Sequence, residues 1–255
     1  MKHILTPGIY CLLSIISLPL NAATSVRIMT SDYAPYTSSN AHDSGVVLAI
    51  IETAFATQGV SVEYEFAPWK RGEMMVASGK AFGAVPYFKN EQRQQNYDFS
   101  DPVIYSVNKF FYNTEKFPDG FTWHTLEDFQ GYQMGGILGY WYLPAFKKAG
   151  LTVSKVSTDQ QNLGMLLLKR NDFTVIDELT GKLLLTQYFP EESHKIAVLE
   201  KPESIAAFHV MISRKYPDAK KMAQLLNTGL QQIKASGKYQ QILQRYQISS
   251  EFAAE

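Results

Sequence analysis

Cysteine is nearly missing from this chain of 255 residues: the single copy, Cys11, lies in the apolar N-terminal stretch. A scaffold stapled by internal disulfides is therefore excluded. Net charge is missing as well, with 24 Lys and Arg set against 24 Asp and Glu. No basic block or stripe breaks that balance, which argues against nucleic acid and anionic membrane surfaces as partners. Beyond the N-terminus no apolar run reaches the roughly 18 residues that read as a membrane helix. The marks of hydrolytic and metal chemistry are also lacking. There is no G-x-S-x-G turn. His42, His124, His194 and His209 are scattered, without the H-E-x-x-H spacing of a zinc site. Gly135-Gly136-Ile137-Leu138-Gly139 does not fit the G-x-G-x-x-G phosphate pattern. No metal, no cofactor and no enzymatic turnover is expected.

What is there begins with an export signal. Lys2 and His3 precede an apolar run from Ile9 to Leu20, broken by Pro19 and followed by Asn21-Ala22-Ala23. A basic start, a short apolar core and small residues at the end read as a secretory signal peptide over residues 1–22. Cys11 lies before the cleavage region, so a lipid attachment there is not expected. Removing 22 residues from 255 leaves 233, enough for two lobes with real cores. A soluble, monomeric periplasmic protein is expected.

The patterning along the chain alternates strand and helix. Val26 to Thr30 reads as a strand, and Val47, Ile50, Ile51, Ala54 and Phe55 give a helix its apolar face. Val60, Val62, Tyr64 and Phe66 alternate with polar residues as a half-buried strand. Arg71 to Ala77 reads as a short helix and Ala84 to Tyr87 as a third strand. After the extended stretch Val103 to Asn113 and a polar segment at Thr114 to Thr122, a second series begins. It has strands at Gln133 to Ile137, Leu151 to Val156, Phe173 to Ile176 and Ile196 to Leu199. Helices begin near Trp141 and span Asp159 to Lys169 and Leu179 to Gln187. A second extended stretch, Ile205 to Ser213, leads to C-terminal helices from Pro217 onward, broken at Ser236-Gly237. Such alternation implies parallel sheets with right-handed crossovers. The expected fold is α/β, a two-lobe clamp whose two parallel or mixed sheets are joined by two crossover strands. Lobe one would hold residues 24–113 plus 207–255, and lobe two 114–206. Ligands of such sheets gather at the carboxyl ends of strands.

One stretch carries the sharpest chemistry. Phe88-Lys89-Asn90-Glu91-Gln92-Arg93 follows a strand and precedes Tyr97-Asp98-Phe99-Ser100-Asp101-Pro102. An arginine fork at a strand's end can grip a carboxylate with two charged hydrogen bonds. This run resembles the ligand-gripping segment of the family 3 (amino-acid-type) periplasmic solute-binding proteins, the type II clamp. Three further segments share the resemblance, and it covers essentially the whole chain after the signal. They are Asp32-Tyr33-Ala34-Pro35-Tyr36, Gly136-Ile137-Leu138-Gly139-Tyr140, and Arg170-Asn171-Asp172-Phe173-Thr174-Val175-Ile176-Asp177. The resemblance implies that Arg93 binds a ligand carboxylate, that Asp177 binds its amino group, and that Tyr33 covers it. Asp177 also reads as a helix N-cap before Glu178-Leu179-Thr180. Trp69, Phe88, Tyr140 and Trp141 are candidate walls, and Arg71 a second anion grip. Phe88 and Tyr140 stand where the family usually has small hydroxyl residues, so the ligand is expected to include a flat or aromatic part, or to be a larger polar solute. The resemblance further implies capture of an amino acid or related carboxylate. Its partner would be an ABC-transporter permease or a sensor domain. The alternatives are a periplasmic enzyme on the same clamp, of the dehydratase or peptidoglycan-cleaving type, and an accessory protein with an altered cleft.

Cleavage near Ala22 has a direct check. N-terminal sequencing of the exported protein should begin within a few residues of Ala23; full-length chain in the membrane fraction would refute the signal reading.

Overall fold

A computed structural model describes residues 24–40 and 42–254. The expected signal peptide, residues 1–22, lies outside them. In chain order the elements are β1 (Thr24–Thr30), α1 (Val46–Ala56), β2 (Val60–Phe66), α2 (Trp69–Ala77), β3 (Gly83–Phe88), α3 (Glu91–Gln94), β4 (Tyr97–Phe99) and β5 (Ile104–Asn113). Then follow β6 (Gln133–Ile137), α4 (Leu143–Lys148), β7 (Thr152–Val156), α5 (Asp159–Leu167), β8 (Phe173–Asp177), α6 (Glu178–Tyr188), β9 (Ile196–Val198), β10 (Ser204–Ser213), α7 (Ala219–Ala235) and α8 (Lys238–Arg245). No helix among the described residues is long and apolar enough to cross a membrane.

The mixed α/β architecture is as expected, and the two crossover strands join its sheets into one hydrogen-bonded ladder in the order β2-β1-β3-β10-β5-β8-β6-β7. The reason is the pairing of the two long extended strands with each other. Ile104 to Asn108 of β5 lies antiparallel to Ser204 to Phe208 of β10. The far end of β5 then joins β8 and β9, while the far end of β10 joins β3 and β4. On either side of this seam the pairing is parallel, β2-β1-β3 in the first half and β8-β6-β7 in the second.

Each half carries its own apolar core. The first packs α1, α7 and α8 around β1, β3 and the starts of β5, through Ile28, Ile50, Phe55, Val85, Val107, Leu226 and Leu230. The second is dominated by rings, including Phe110, Trp123, Phe129, Phe146 and Phe173. The segment read as polar, Thr114 to Thr122, contributes to it: Phe117 and Phe121 each tilt against Phe173 with ring centres 4.8 Å apart. Aromatic pairs at such spacing add about 0.5–1.5 kcal/mol beyond area burial. The short α3 and β4 fall in a stretch to which the sequence patterning assigned no element. Each is too brief to show a period. The helix expected near Trp141 starts at Leu143, because Gly139 turns the chain at φ 82° first.

One close approach fixes the first half. A Cβ on Gly229 of α7 would lie 2.1 Å from the Ala54 carbonyl oxygen of α1. Gly229→Ala gains about 1 kcal/mol of helix propensity, yet forces the two backbones apart. Overpacking of this kind costs about 1–3 kcal/mol. The variant should therefore be no more stable than wild type and up to about 2 kcal/mol less stable by urea denaturation. A clear gain in stability would show that α1 and α7 are not in backbone contact.

Candidate functional site

A cavity of about 450 Å³ opens between the two halves, at the carboxyl ends of β1, β3, β6, β7 and β8. It is in the size range of small-molecule sites. The first half contributes Tyr33, Trp69, Lys70, Glu73, Pro86, Tyr87, Phe88, Arg93 and Phe208. The second contributes Tyr140, Trp141, Asp159, Val175, Ile176 and Asp177, and the seam strand β5 adds Ser106 and Asn108. Seven of the eight residues singled out from the sequence line this space: Arg93, Asp177, Tyr33, Trp69, Phe88, Tyr140 and Trp141. Arg71 does not. Trp69, Lys70 and Glu73 share one face of α2, whereas Arg71, roughly 200° around the helix from Trp69, points outward. Its Nη2 lies 3.8 Å from Glu65 Oε1, on the exposed surface.

Arg93 is held by the first half alone. Asn90 caps α3 by accepting the Arg93 backbone N–H at 2.8 Å. The Arg93 Nη1 donates to the Phe88 carbonyl at 3.0 Å, and Nε lies 3.9 Å from Glu73 Oε1. The guanidinium carbon sits 4.9 Å from the centre of the Tyr87 ring, a cation–π distance. Tyr87 is in turn braced edge-on by Trp69, with ring centres 5.8 Å apart. Phe88 stacks on Phe208 at 4.7 Å. At this position the chain places a ring pair, and the Phe88 backbone carbonyl steadies the arginine.

Asp177 is built differently. It ends β8 and caps α6, accepting the Thr180 backbone N–H on Oδ1 at 3.0 Å. Its Oδ2 accepts the hydroxyls of Tyr36 at 2.8 Å and Ser106 at 2.7 Å. The N-cap reading and the cavity position are thus the same residue in two roles. Burial raises the Asp177 pKa, against the pull of the Thr180, Ser106 and Tyr36 hydrogen bonds. Burial, then the charge of Asp177, likewise raises Tyr36.

On the opposite turn, Tyr140 and Trp141 stack at 5.3 Å, with Trp141 51% exposed. They are splayed into the cavity because Tyr142 is the anchor: it is buried, and its hydroxyl accepts the Ile137 N–H at 2.9 Å. Asp159, at the start of α5, was not singled out from the sequence. Burial, and next the charge of Asp177, raise its pKa to about 6, partly offset by a hydrogen bond from Tyr140. Tyr140 itself is pushed up to about 12 by burial and by Asp159. One signal could have found Asp159: Ser157-Thr158-Asp159 follows a parallel strand directly, where ligands gather. Ser106 and Asn108 could have been found as polar, buried interruptions of an apolar strand.

The sequence matches the profile of the bacterial extracellular solute-binding proteins, family 3, over residues 26–249. The chain belongs to that family. No curated protein matches it. Among solved structures, an ancestral arginine-binding protein bound to arginine shares 19% identity and a TM-score of 0.65, over 87% of this chain and 97% of that one. The L-cystine solute receptor of Neisseria gonorrhoeae, in an unliganded open conformation, shares 19% identity at a TM-score of 0.67, over 88% and 93%. A histidine kinase sensor domain similar to periplasmic binding proteins shares 15% at 0.68, over 87% and 95%. At these identities the likeness is one of fold, the type II clamp of the family 3 solute-binding proteins.

The two acidic groups make a stability prediction. Raised carboxyl pKa values mean that the folded chain binds protons more tightly than the unfolded one. Their contribution to stability is thus fullest at low pH and is lost as pH rises from about 4 through the folded pKa, near 6 for Asp159. Tyr36→Phe removes one donor from the Asp177 charge. A hydrogen bond to a charged group is worth about 1.5–3 kcal/mol. The variant should lose that much at pH 7 by urea unfolding, and less at pH 4.5. An equal loss at both pH values would mean that Tyr36 serves packing alone.

Proposed function

We propose that this family 3 protein captures a small polar solute bearing a carboxylate, an amino acid or a related compound with a flat part, and presents it to a membrane partner. That partner is an ABC-transporter permease or a sensor domain. The single observation that carries the reading is the convergence of Arg93 and Asp177, from opposite sides of the seam, on one cavity walled by rings. Residues 24–113 with 207–255 form one lobe of the clamp and residues 114–206 the other, hinged where β5 and β10 pass between them. Solute touching both lobes stabilises the closed arrangement, because it makes contacts there that the open one lacks. Arg93 keeps N–H groups free beyond its bond to Phe88, and these receive the carboxylate. Tyr33, Trp69, Phe88, Tyr140 and Trp141 sandwich the flat part. Fold relatives bound to arginine, glutamate and glutamine support an amino-acid-like ligand.

The role of Asp177 is refined by its surroundings. With Tyr36, Ser106 and Thr180 already donating to it, Asp177 offers an incoming ammonium at most a remaining lone pair on Oδ1. Asp177→Asn would disturb that set as well as the ligand, so Arg93 is the cleaner test. The protein acts by binding rather than turnover, in the periplasm, as a monomer.

A thermal-shift screen of a solute library should return at least one carboxylate that raises the melting temperature, since binding to the folded state adds RT ln(1 + [L]/Kd). Calorimetric titration of that solute with Arg93→Ala should show affinity lower by roughly 30-fold or more, because truncating one member of a buried charged pair costs about 2–5 kcal/mol. Undiminished binding would overturn the carboxylate grip. Chemical conversion of the solute would make the protein an enzyme, and a library without a single hit would favour an accessory role.

A further inference from the structure

Three carboxylates line the cavity, and they differ in what they offer a solute. Asp177 receives Tyr36, Ser106 and Thr180. Asp159 takes the Tyr140 hydroxyl, and its Oδ1 is closed to solvent. Glu73, on α2 in the first half, is the accessible one, with 40% of its side chain exposed. Its Oε1 lies 3.9 Å from Arg93 Nε, too far for a hydrogen bond. No other cation lies within 4.0 Å of Glu73 among the described residues. That holds for Lys70 too, one turn earlier on the same face of α2. The Tyr87 ring lies near both charges: burial and then Glu73 raise its pKa, and Arg93 counters them. The carboxylate grip proposed at Arg93 thus has a negative charge standing beside it. A solute carboxylate that lands on the guanidinium comes close to Glu73. Like charges at such range repel, most of all once the cleft excludes water. The repulsion becomes attraction when the solute carries a cation on the atom next to its carboxylate.

We propose that Glu73 receives the α-ammonium of the solute on the same wall where Arg93 holds its carboxylate, so that the cleft selects α-amino acids over carboxylates that lack the amine. The two charges of the solute, one carbon apart, lie head to tail against the Arg93–Glu73 pair. An ammonium donates N–H groups and a carboxylate accepts them at either oxygen, and a hydrogen bond between charged partners is the stronger kind. Glu73 is in this role a specificity-determining residue rather than a support for Arg93. The Phe88 carbonyl and the Tyr87 ring already hold the guanidinium. Both charges of the head group then rest on the first half, which leaves Tyr140 and Trp141 of the second half to enclose the remainder of the solute. The inference rests on the reading of Arg93 as the carboxylate grip and names the chemistry required beside it.

The experiment titrates the exported protein with pairs of solutes that differ only in the α-amine: L-phenylalanine and hydrocinnamate, L-glutamate and glutarate, L-lysine and ε-aminocaproate. Wild type should bind the amino acid of at least one pair roughly tenfold or more tighter than its deaminated partner. In Glu73→Gln that preference should shrink to within about threefold, because the amino acid weakens while the deaminated carboxylate, freed from repulsion, gains. The opposite signs are the decisive reading. A variant that weakens both members of the pair alike would show that Glu73 only aims Arg93, and would overturn the assignment. So would an unchanged preference in Glu73→Gln, a preference lost in Asp177→Asn alone, or failure of all six probes to bind wild type. The melting temperature of Glu73→Gln without solute should match that of wild type, since an exposed pair at this distance adds little stability. A fall of several degrees would mark Glu73 as a structural tie and also overturn the assignment. If carboxylates bind and are weakened by Arg93→Ala while the preference survives Glu73→Gln, this inference fails and the proposed function stands. If no solute of the wider library binds at all, both fail.

Discussion

A buried carboxylate that three separate segments must satisfy holds this site together. Asp177 takes a hydroxyl from Tyr36 in the loop after β1, a hydroxyl from Ser106 on β5, and a backbone N–H from the first turn of α6. Removing a charge from water demands such donors. Satisfying it therefore fixes the loop, the seam strand and the strand-to-helix turn in register with one another. A further bond, from the Thr180 hydroxyl to the Ala34 carbonyl at 3.3 Å, ties the same turn to the same loop. Tyr33 stands within that loop, so the ring covering the cavity is positioned by the charge on the far side.

The rings divide between two tasks. In the second half, Phe110, Phe129 and Phe173 pack with centres 4.3–5.0 Å apart and form a core that small aliphatic residues could not fill as rigidly. Around the cavity the rings come in pairs, Phe88 on Phe208, Tyr140 on Trp141 and Trp69 against Tyr87. A paired ring loses little further freedom when a solute stacks on it, and this pre-organisation favours binding. The same pairing gives Phe88 and Tyr140 each a ring partner, Phe208 and Trp141. The polar groups left at those points are the backbone carbonyl of Phe88, which accepts from Arg93, and the hydroxyl of Tyr140, which bonds Asp159.

Most of the alternation of strand and helix was legible because periodicity survives wherever one face is buried and the other is not. The long strands β5 and β10 were legible as extended apolar runs. That they pair with each other was not, since strand pairing across nearly a hundred residues leaves no local trace. Phe117 and Phe121 were hidden by the polar residues around them. Ring walls and Arg93 could be read from position after a strand, whereas Arg71 misled because a helix places residues two apart on opposite faces. Asp159 and Ser106 were missed for a shared reason: a single polar residue at a strand's end or on its inward face looks like solvated surface until the fold buries it.

Charge placement gives the cleft a direction. Arg93 belongs wholly to the first half, and Asp159 to the second, whereas Asp177 is bonded across the seam by protein groups alone. In the hinged clamp proposed above these would be different contributions to closure. In that reading the Tyr36–Asp177 bond, which spans the seam, would favour the closed arrangement by its own free energy, whatever occupies the cavity. The apparent affinity of any solute is reduced by the fraction of molecules that is not binding-competent, and an intramolecular latch enlarges the competent fraction. Selectivity must then come from groups that the latch leaves unsatisfied. Among them are the free N–H groups of Arg93, the ammonium of Lys70 and the unpartnered Oδ1 of Asp159. The cations and the carboxylate sit on opposite walls, and only a solute long enough to span them gains from both.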